Sequence, residues 1–408
     1  MPLSISLLLL FLSHLLCVLS TSFYDNPEQD PIYNDLVADH TQDWPQEELE
    51  RKWGMDWPFS GISTFAHLPH TRCLTEPDEK FDIAIIGAPF DTAVSYRPAT
   101  GARFGPRAIR AASARQNPLR SFNQRAGINP YIQGLRVLDC GDIPVVPVDN
   151  ALALRQMTVA YTQLGMRVPA SAQGTGVPLL AHPRLVTLGG DHSIALAALR
   201  ALYKIYGKPI TVIHFDAHLD TWLPNKYPSA WPSEQMSFNH GSMFYLASKE
   251  GLLSNRSVHA GLRTRISDLG DYADDDAQGW LRISADEIDE LKPAGIVRRM
   301  VERVGLDDGE PVYLSFDIDV VDPGLAPGTG TPEPGGWTSR EVIAMLRGLE
   351  DVNVVGADVV EVAPAYDGAG EQTALVAAQV VFEVVTSMVK KAVKGRSLEK
   401  ADGVKDEL

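Results

Sequence analysis

Short apolar runs, each closed by Gly, Asp or Pro and followed by a helical stretch, constrain this chain more than any other feature. Ile83-Ala84-Ile85-Ile86, Leu185-Val186-Thr187-Leu188, Thr211-Val212-Ile213, Val312-Tyr313-Leu314 and Val354 to Val360 are such runs. A strand that is apolar throughout, rather than at alternate positions, belongs in a sheet covered on both faces, as parallel sheets are. The intervening segments carry helix-end chemistry. Gly105-Pro106 opens one helix with Pro in the first turn, and Ser193 to Tyr206 runs into the stop Gly207. Thr338 with Glu341 three residues later forms a capping box, and Gln372 to Lys394 makes a last long helix closed by Gly395. The alternation predicts one three-layer α/β/α domain over residues 81–395 with a mostly parallel central sheet. Residues 23–80, rich in Trp, Pro and acidic side chains, read as an N-terminal extension lying on the surface of that domain.

Composition narrows the function classes. With 45% hydrophobic and 22% charged residues among 408, the chain can bury a large core, which excludes disorder and small disulfide-stapled scaffolds. A formal charge of −16 disfavours binding to a phosphate backbone, so nucleic acid is not an expected partner. Three cysteines, Cys17, Cys73 and Cys140, make no disulfide framework, and Cys140 reads as a packed thiol at a strand end.

The two ends speak of location. Leu3 to Leu19 has no charged residue, and Val18 and Ser20 stand where a signal peptidase would read them. Residues 1–22 therefore read as a secretory signal peptide. An uncleaved anchor is also open, since spanning a bilayer takes about 17–25 residues. The tail, 396–408, ends in Lys405-Asp406-Glu407-Leu408, a retention signal of the endoplasmic reticulum. Together these predict the lumen of that compartment, with secretion as the alternative, and make Asn255-Arg256-Ser257 a glycan acceptor.

Chemistry clusters just past the apolar runs. Gly189-Gly190-Asp191-His192-Ser193, His214-Phe215-Asp216-Ala217-His218-Leu219-Asp220 and Ser315-Phe316-Asp317-Ile318-Asp319 all follow predicted strands. In an open parallel sheet, ligands bind beyond the strand C-termini, so the three segments can converge there. Extended backbone would send alternate side chains to one side at about 6.6–6.8 Å spacing, close enough to enclose a pair of cations. Four carboxylates, Asp216, Asp220, Asp317 and Asp319, would repel one another without cations, and two divalent ions balance them. Oxygen ligands with some imidazole, from His192 and His218, suit Mn²⁺ better than thiolate-rich zinc sites. Such a pair of ions acidifies a shared water from a pKa of 15.7 towards ~7. Taken singly, each piece has a plain structural use. Asp191 caps the following helix, His192 is a packed histidine, and Asp-Ile-Asp is a strand-end turn. His214 reads equally as a ligand or as a core histidine behind one.

The same segments resemble the three signatures of the ureohydrolase family, which includes arginase, agmatinase, guanidinobutyrase and formiminoglutamase. The likeness extends through Gly87-Ala88-Pro89-Phe90-Asp91, Arg103-Phe104-Gly105-Pro106, Pro327 to Pro332, Gly335-Gly336 and Glu361-Val362-Ala363-Pro364. It implies an arginase-like fold and two Mn²⁺ per subunit. One metal would be held by His192, Asp216, Asp220 and Asp317, the other by Asp216, His218, Asp317 and Asp319. It also implies that His240 relays protons, that Glu361 holds the guanidinium of a small cationic substrate, and that Asp319 or His240 protonates the leaving amine. Trimers or hexamers are implied as well. Gly328-Thr329-Gly330 and Ala363-Pro364 look like agmatinase and guanidinobutyrase rather than arginase, and Thr221 to Glu234 lacks the polar groups that arginases place after the second signature. Lys226 could pair with the carboxylate of 4-guanidinobutyrate, and Glu234 with the ammonium of agmatine. The expected reaction is agmatine to putrescine and urea, with guanidinobutyrase as alternative. A non-catalytic guanidinium-binding protein, a single-zinc deacetylase of related fold and a secretory chaperone are readings from other classes.

Overall fold

The computed structural model describes residues 46–47, 60–92, 101–172, 179–224, 237–307 and 309–403, with side chains to 395. The signal segment 1–22, the terminal Lys405-Asp406-Glu407-Leu408, and Lys226 and Glu234 lie outside the described residues. The chain forms two compact units, Met1–Trp57 and Pro58–Leu408. Of the first, only Gln46 and Glu47 are described, both helical and exposed.

The second unit is built on eight strands: β1 Ile83–Ala88, β2 Val137–Asp142, β3 Arg184–Gly189, β4 Thr211–Phe215, β5 Val258–Leu262, β6 Leu281–Ser284, β7 Val312–Asp317 and β8 Val354–Val360. Every pairing is parallel, in the order β2-β1-β3-β8-β7-β4-β5-β6. The helices are α1 Gly105–Ala112, α2 Asn150–Gly165, α3 Ile194–Tyr206, α4 Met243–Lys249, α5 Leu269–Ala277, α6 Ile288–Val304, α7 Ser339–Gly348 and α8 Gln372–Gly403. Successive strand residues serve opposite faces. Ile83 and Ile85 join a core with α1, α6, α7 and α8, whereas Ala84 and Ile86 join a second core with α2, α3 and α4. This is the three-layer arrangement that the apolar runs predict, and all five of those runs are strands.

The helix-end signals act as expected, with one exception. Thr338 and Glu341 exchange capping bonds, and Gly207 ends α3 in the left-handed region at φ 67°. Gly395 does not end α8, which continues to Gly403. A glycine stops a helix only when the backbone turns left-handed there, and Gly395 is not among the positive-φ glycines.

The N-terminal segment and the cysteines depart from expectation. Residues 60–80 are not merely laid on the surface. Phe65, Leu68 and Cys73 are buried in the two cores, and Phe65 N–H donates to Asp139 Oδ2 at 2.8 Å. Cys140 is not a thiol: it is bonded to Cys73, 67 residues away. The segment reaches it because His70 bridges to Asp139 alongside β2. Closing a loop of this length removes roughly 4 kcal/mol of unfolded-chain entropy in the loop-closure treatment. Cys73→Ser should therefore lose about 2–4 kcal/mol, read as a lower midpoint in urea. Wild-type protein in reductant should match the variant, while reductant should leave the variant itself unchanged. Equal midpoints for the two oxidised proteins would refute the cross-link.

Candidate metal centre

Four neighbouring strands, β3, β8, β7 and β4, deliver the functional groups at their C-terminal ends. His192 lies three residues past β3, Glu361 directly follows β8, Asp317 closes β7, and Asp216 directly follows β4. The backbone there is turned rather than extended, which corrects the alternating-strand expectation. Asp220 stands at φ 54° and Glu361 at φ 62°, conformations that non-glycine residues adopt at a cost. Asp319 sits in a 3-10 turn, Ile318–Val320, capped by Asp317 Oδ1 accepting the Asp319 N–H at 2.8 Å. Tight turns, not pleat, gather these side chains.

The convergence is close. His192 Nδ1 lies 3.0 Å from Asp216 Oδ2, 3.1 Å from Asp220 Oδ2 and 3.2 Å from Asp317 Oδ2. A second group shares Asp216: His218 Nδ1 is 3.2 Å from Asp216 Oδ1 and 3.0 Å from Asp319 Oδ2. All six predicted ligand residues thus meet in two adjoining groups, with only His218 partly exposed. His214 also lies within reach of the first group. Its Nε2, however, is engaged with Asp216 Oδ2 at 2.8 Å and its Nδ1 with His259 Nδ1 at 2.7 Å, which leaves it no free lone pair. It backs the ligand set rather than joining it.

The donor chemistry fits cations. His192 Nδ1 is fully buried and makes no hydrogen bond of acceptable geometry despite three carboxylate oxygens within 3.2 Å. Ser315 Oγ donates to Asp358 Oδ1 at 2.8 Å, so it accepts from His192 Nε2–H at 2.7 Å, and Nδ1 is the ring atom turned to the oxygens. Burial would lower the His192 imidazole, but Asp216, Asp220 and Asp317 outweigh it and raise it well above its usual range, so a proton stands where a cation would otherwise balance the three oxygens. The proton balance of the metal-free cluster is correspondingly strained. Burial, then the neighbouring Asp319 and Asp216 charges, push Asp317 well above the usual carboxylate range. Burial and Asp216 raise Asp220 as well. Burial would also raise Asp216, but His214, His192 and His218 outweigh it and hold Asp216 well below.

Glu361 adjoins this cluster, and His240 neighbours it through Asp191. Glu361 is buried and its Oε1 accepts His192 N–H at 2.9 Å. Burial and then the Asp191 charge push Glu361 well up, a setting in which a cationic partner would be favoured. Asp191 does not cap α3 in the ordinary way. It accepts from Thr92 N at 2.5 Å and Thr92 Oγ1 at 2.6 Å, and its Oδ1 accepts from Ser193 N at 3.1 Å. Burial raises Asp191, and His240 is the largest opposing influence. His240 is not needed for its turn, which Asn239 Oδ1 closes by accepting Gly241 N–H at 2.9 Å. Its Nδ1 is buried without a hydrogen bond. Thr331, not singled out from sequence, donates to Asp319 Oδ2 at 3.3 Å.

Against known families, the arginase family model matches residues 81–386. The chain belongs to the arginase family. A Schizosaccharomyces pombe protein named "Putative agmatinase 3" is 50% identical over 349 residues, 84% of each chain. The agmatinase of Chromobacterium violaceum is 36% identical over 338 residues, 83% of this chain and 92% of that one. Among solved structures, the proclavaminate amidino hydrolase of Streptomyces clavuligerus is 35% identical with a TM-score of 0.69, covering 82% of this chain and all of the other. The arginase-family fold is thus matched over the whole parallel sheet. The chain is a hydrolase with a cluster of histidines and aspartates suited to a pair of metal ions.

Proposed function

We propose that this arginase-family hydrolase cleaves agmatine to putrescine and urea with two Mn²⁺ bound. The observation that carries the reading is the buried His192 Nδ1 facing Asp216, Asp220 and Asp317 without a hydrogen bond, beside Glu361 on the adjoining strand. His192, Asp216, Asp220 and Asp317 would hold one ion; Asp216, His218, Asp317 and Asp319 the other. Bound there, the ions supply charge balance for four carboxylates and acidify a water so that a nucleophile exists near neutral pH. Glu361 accepts parallel N–H donors of the planar guanidinium and presents its electron-poor carbon to that side of the cleft. Asp319, steadied by Thr331, would take up the proton released on attack and pass it on towards the leaving amine. His240, with an unengaged buried Nδ1 near Asp191, carries a proton to the leaving amine. Relatives named agmatinase at 36–50% identity support agmatine over arginine.

The test is a turnover panel of agmatine, 4-guanidinobutyrate, 3-guanidinopropionate and arginine on purified, Mn²⁺-loaded protein, scored by urea. Agmatine should give the highest kcat/KM. Preference for 4-guanidinobutyrate would move the assignment to guanidinobutyrase, and no urea from any member would sink the hydrolase mechanism. Glu361→Gln keeps the side-chain shape and removes the charge. It should lower kcat/KM roughly 10–100-fold, the worth of about 1.5–3 kcal/mol for a charged hydrogen bond, with metal content unchanged.

We also infer that the protein works in the endoplasmic reticulum lumen. The apolar leader, the terminal Lys-Asp-Glu-Leu and the Cys73–Cys140 bond agree with an oxidising compartment. Asn255 is exposed, so the sequon can carry a glycan. Sensitivity of the mature chain to endoglycosidase H, abolished in Asn255→Gln, checks both points.

A further inference from the structure

One row of the sheet is polar where a buried parallel sheet should be apolar. Thr187 on β3 pairs in register with Asp358 on β8, Asp358 with Ser315 on β7, Ser315 with His214 on β4, His214 with His259 on β5, and His259 with Arg282 on β6. All but Arg282 are fully buried. Polar side chains in such a layer are costly unless every group is paired, and here the pairing leads somewhere.

It has two branches, each starting at a buried carboxylate and ending at the metal centre. Asp358, fixed by Tyr313 Oη–H at 2.6 Å, receives Ser315, which receives His192. On the other side, Asp275 of α5 accepts from Arg282 at 2.7 Å and from Thr221 Oγ1 at 2.8 Å. Its Oδ1 lies 3.1 Å from His259 Nε2; His259 Nδ1 meets His214 Nδ1 at 2.7 Å; His214 Nε2 meets Asp216 Oδ2 at 2.8 Å. The rings cannot swing. His259 stacks on Trp280 with centroids 4.0 Å apart, and His214 stands edge-on to Phe244 at 4.8 Å.

We propose that the Asp275–His259–His214 branch is a positioning ladder that fixes the orientation of the Asp216 carboxylate, so that residues out to the β6 edge set the affinity for both cations. Asp216 belongs to both ligand groups, so a small rotation of its carboxylate spoils two sites at once. Partners behind a ligand commonly alter metal affinity 10–100-fold. This inference rests on the metal centre proposed above.

The experiment titrates metal-free protein with Mn²⁺ by calorimetry and follows its melting in chelator. Asp275→Asn removes the anchoring charge, and His259→Phe keeps the stack on Trp280 while removing both nitrogens. Each should weaken Mn²⁺ binding 10–100-fold. Arg282→Gln, at the partly exposed end, should weaken it several-fold and serves if the interior variants do not fold. Affinities within threefold of wild type in the folded variants, whatever their melting temperatures, would overturn the ladder and leave a structural role. Asp216→Asn is the control: if it too retains tight binding, the metal centre itself is wrong, whereas loss of binding in Asp216→Asn alone condemns only the ladder.

Discussion

Asp216→Asn should fold but no longer hold metal tightly, and its turnover should fall by at least roughly 10²–10³-fold, the effect of deleting one preorganised electrostatic group. The size follows from position. Its Oδ2 lies 3.0 Å from His192 Nδ1 in one ligand group and its Oδ1 lies 3.2 Å from His218 Nδ1 in the other. Asp317 is the other carboxylate that ties the groups together, through the Asp319 N–H at 2.8 Å. Elemental analysis of the purified variant should find under one Mn²⁺ per chain, and urea release should not recover with added metal. The wild-type counterpart is chelation. At free Mn²⁺ near 100 times the dissociation constant, binding stabilises by about 2.7 kcal/mol, so chelator should lower the wild-type melting temperature and leave Asp216→Asn nearly where it was. Full metal content in the variant would mean the carboxylate is not a ligand.

Among substitutions of the described glycines, Gly190→Ala should be one of the most damaging. A Cβ at Gly190 would stand 1.8 Å from Phe90 O and 2.8 Å from Ala88 O, both backbone atoms that cannot swing aside. At Gly189 it would meet Val360 Cγ1 at 2.6 Å and Val359 O at 2.9 Å. The paired glycines thus allow the turn after β3 to press against β1 and β8, and that pressure places His192 beside Asp317. A clash with fixed backbone exceeds ordinary overpacking, so the expected loss is about 3 kcal/mol or more. Protein that does fold should bind Mn²⁺ weakly, because His192 is two residues away. A soluble variant with wild-type melting and metal content would show that the β3 turn has slack the structure does not reveal.

How much of this was legible in the chain can be argued from particular strands. β1, β3, β4, β7 and β8 announced themselves because their residues feed cores on both faces. β2, β5 and β6 did not, because Asp139, Gly141, His259 and Arg282 interrupt them. Those interruptions are all engaged: Asp139 takes Arg110 and the Phe65 N–H, while His259 and Arg282 meet on Asp275. Asp358, Thr187 and His214, inside or next to apolar runs, are the visible signs that the sheet interior carries polar groups. The candidate ligand residues are readable from type and spacing, but extended backbone is not what brings them together. Left-handed backbone at Asp220 and Glu361 and the 3-10 turn at Asp319 bring them together, and spacing alone carries no sign of φ. The Cys73–Cys140 bond was invisible for a simpler reason: two cysteines far apart in sequence reveal their pairing only when the segment between them has folded.

The order of strands has a consequence for how the molecule comes off the ribosome. β2-β1-β3 and β7-β4-β5-β6 are joined in the strand ladder only by way of β8, the last strand of the sheet in the chain. Until about residue 360 has emerged, the nascent chain can offer two half-sheets but no joined seam, and the imidazole of His192 has no aspartate of β7 to face. Assembly of the two His/Asp groups is thereby deferred until β8 is made, and a fragment ending short of β8 should fail to bring them together.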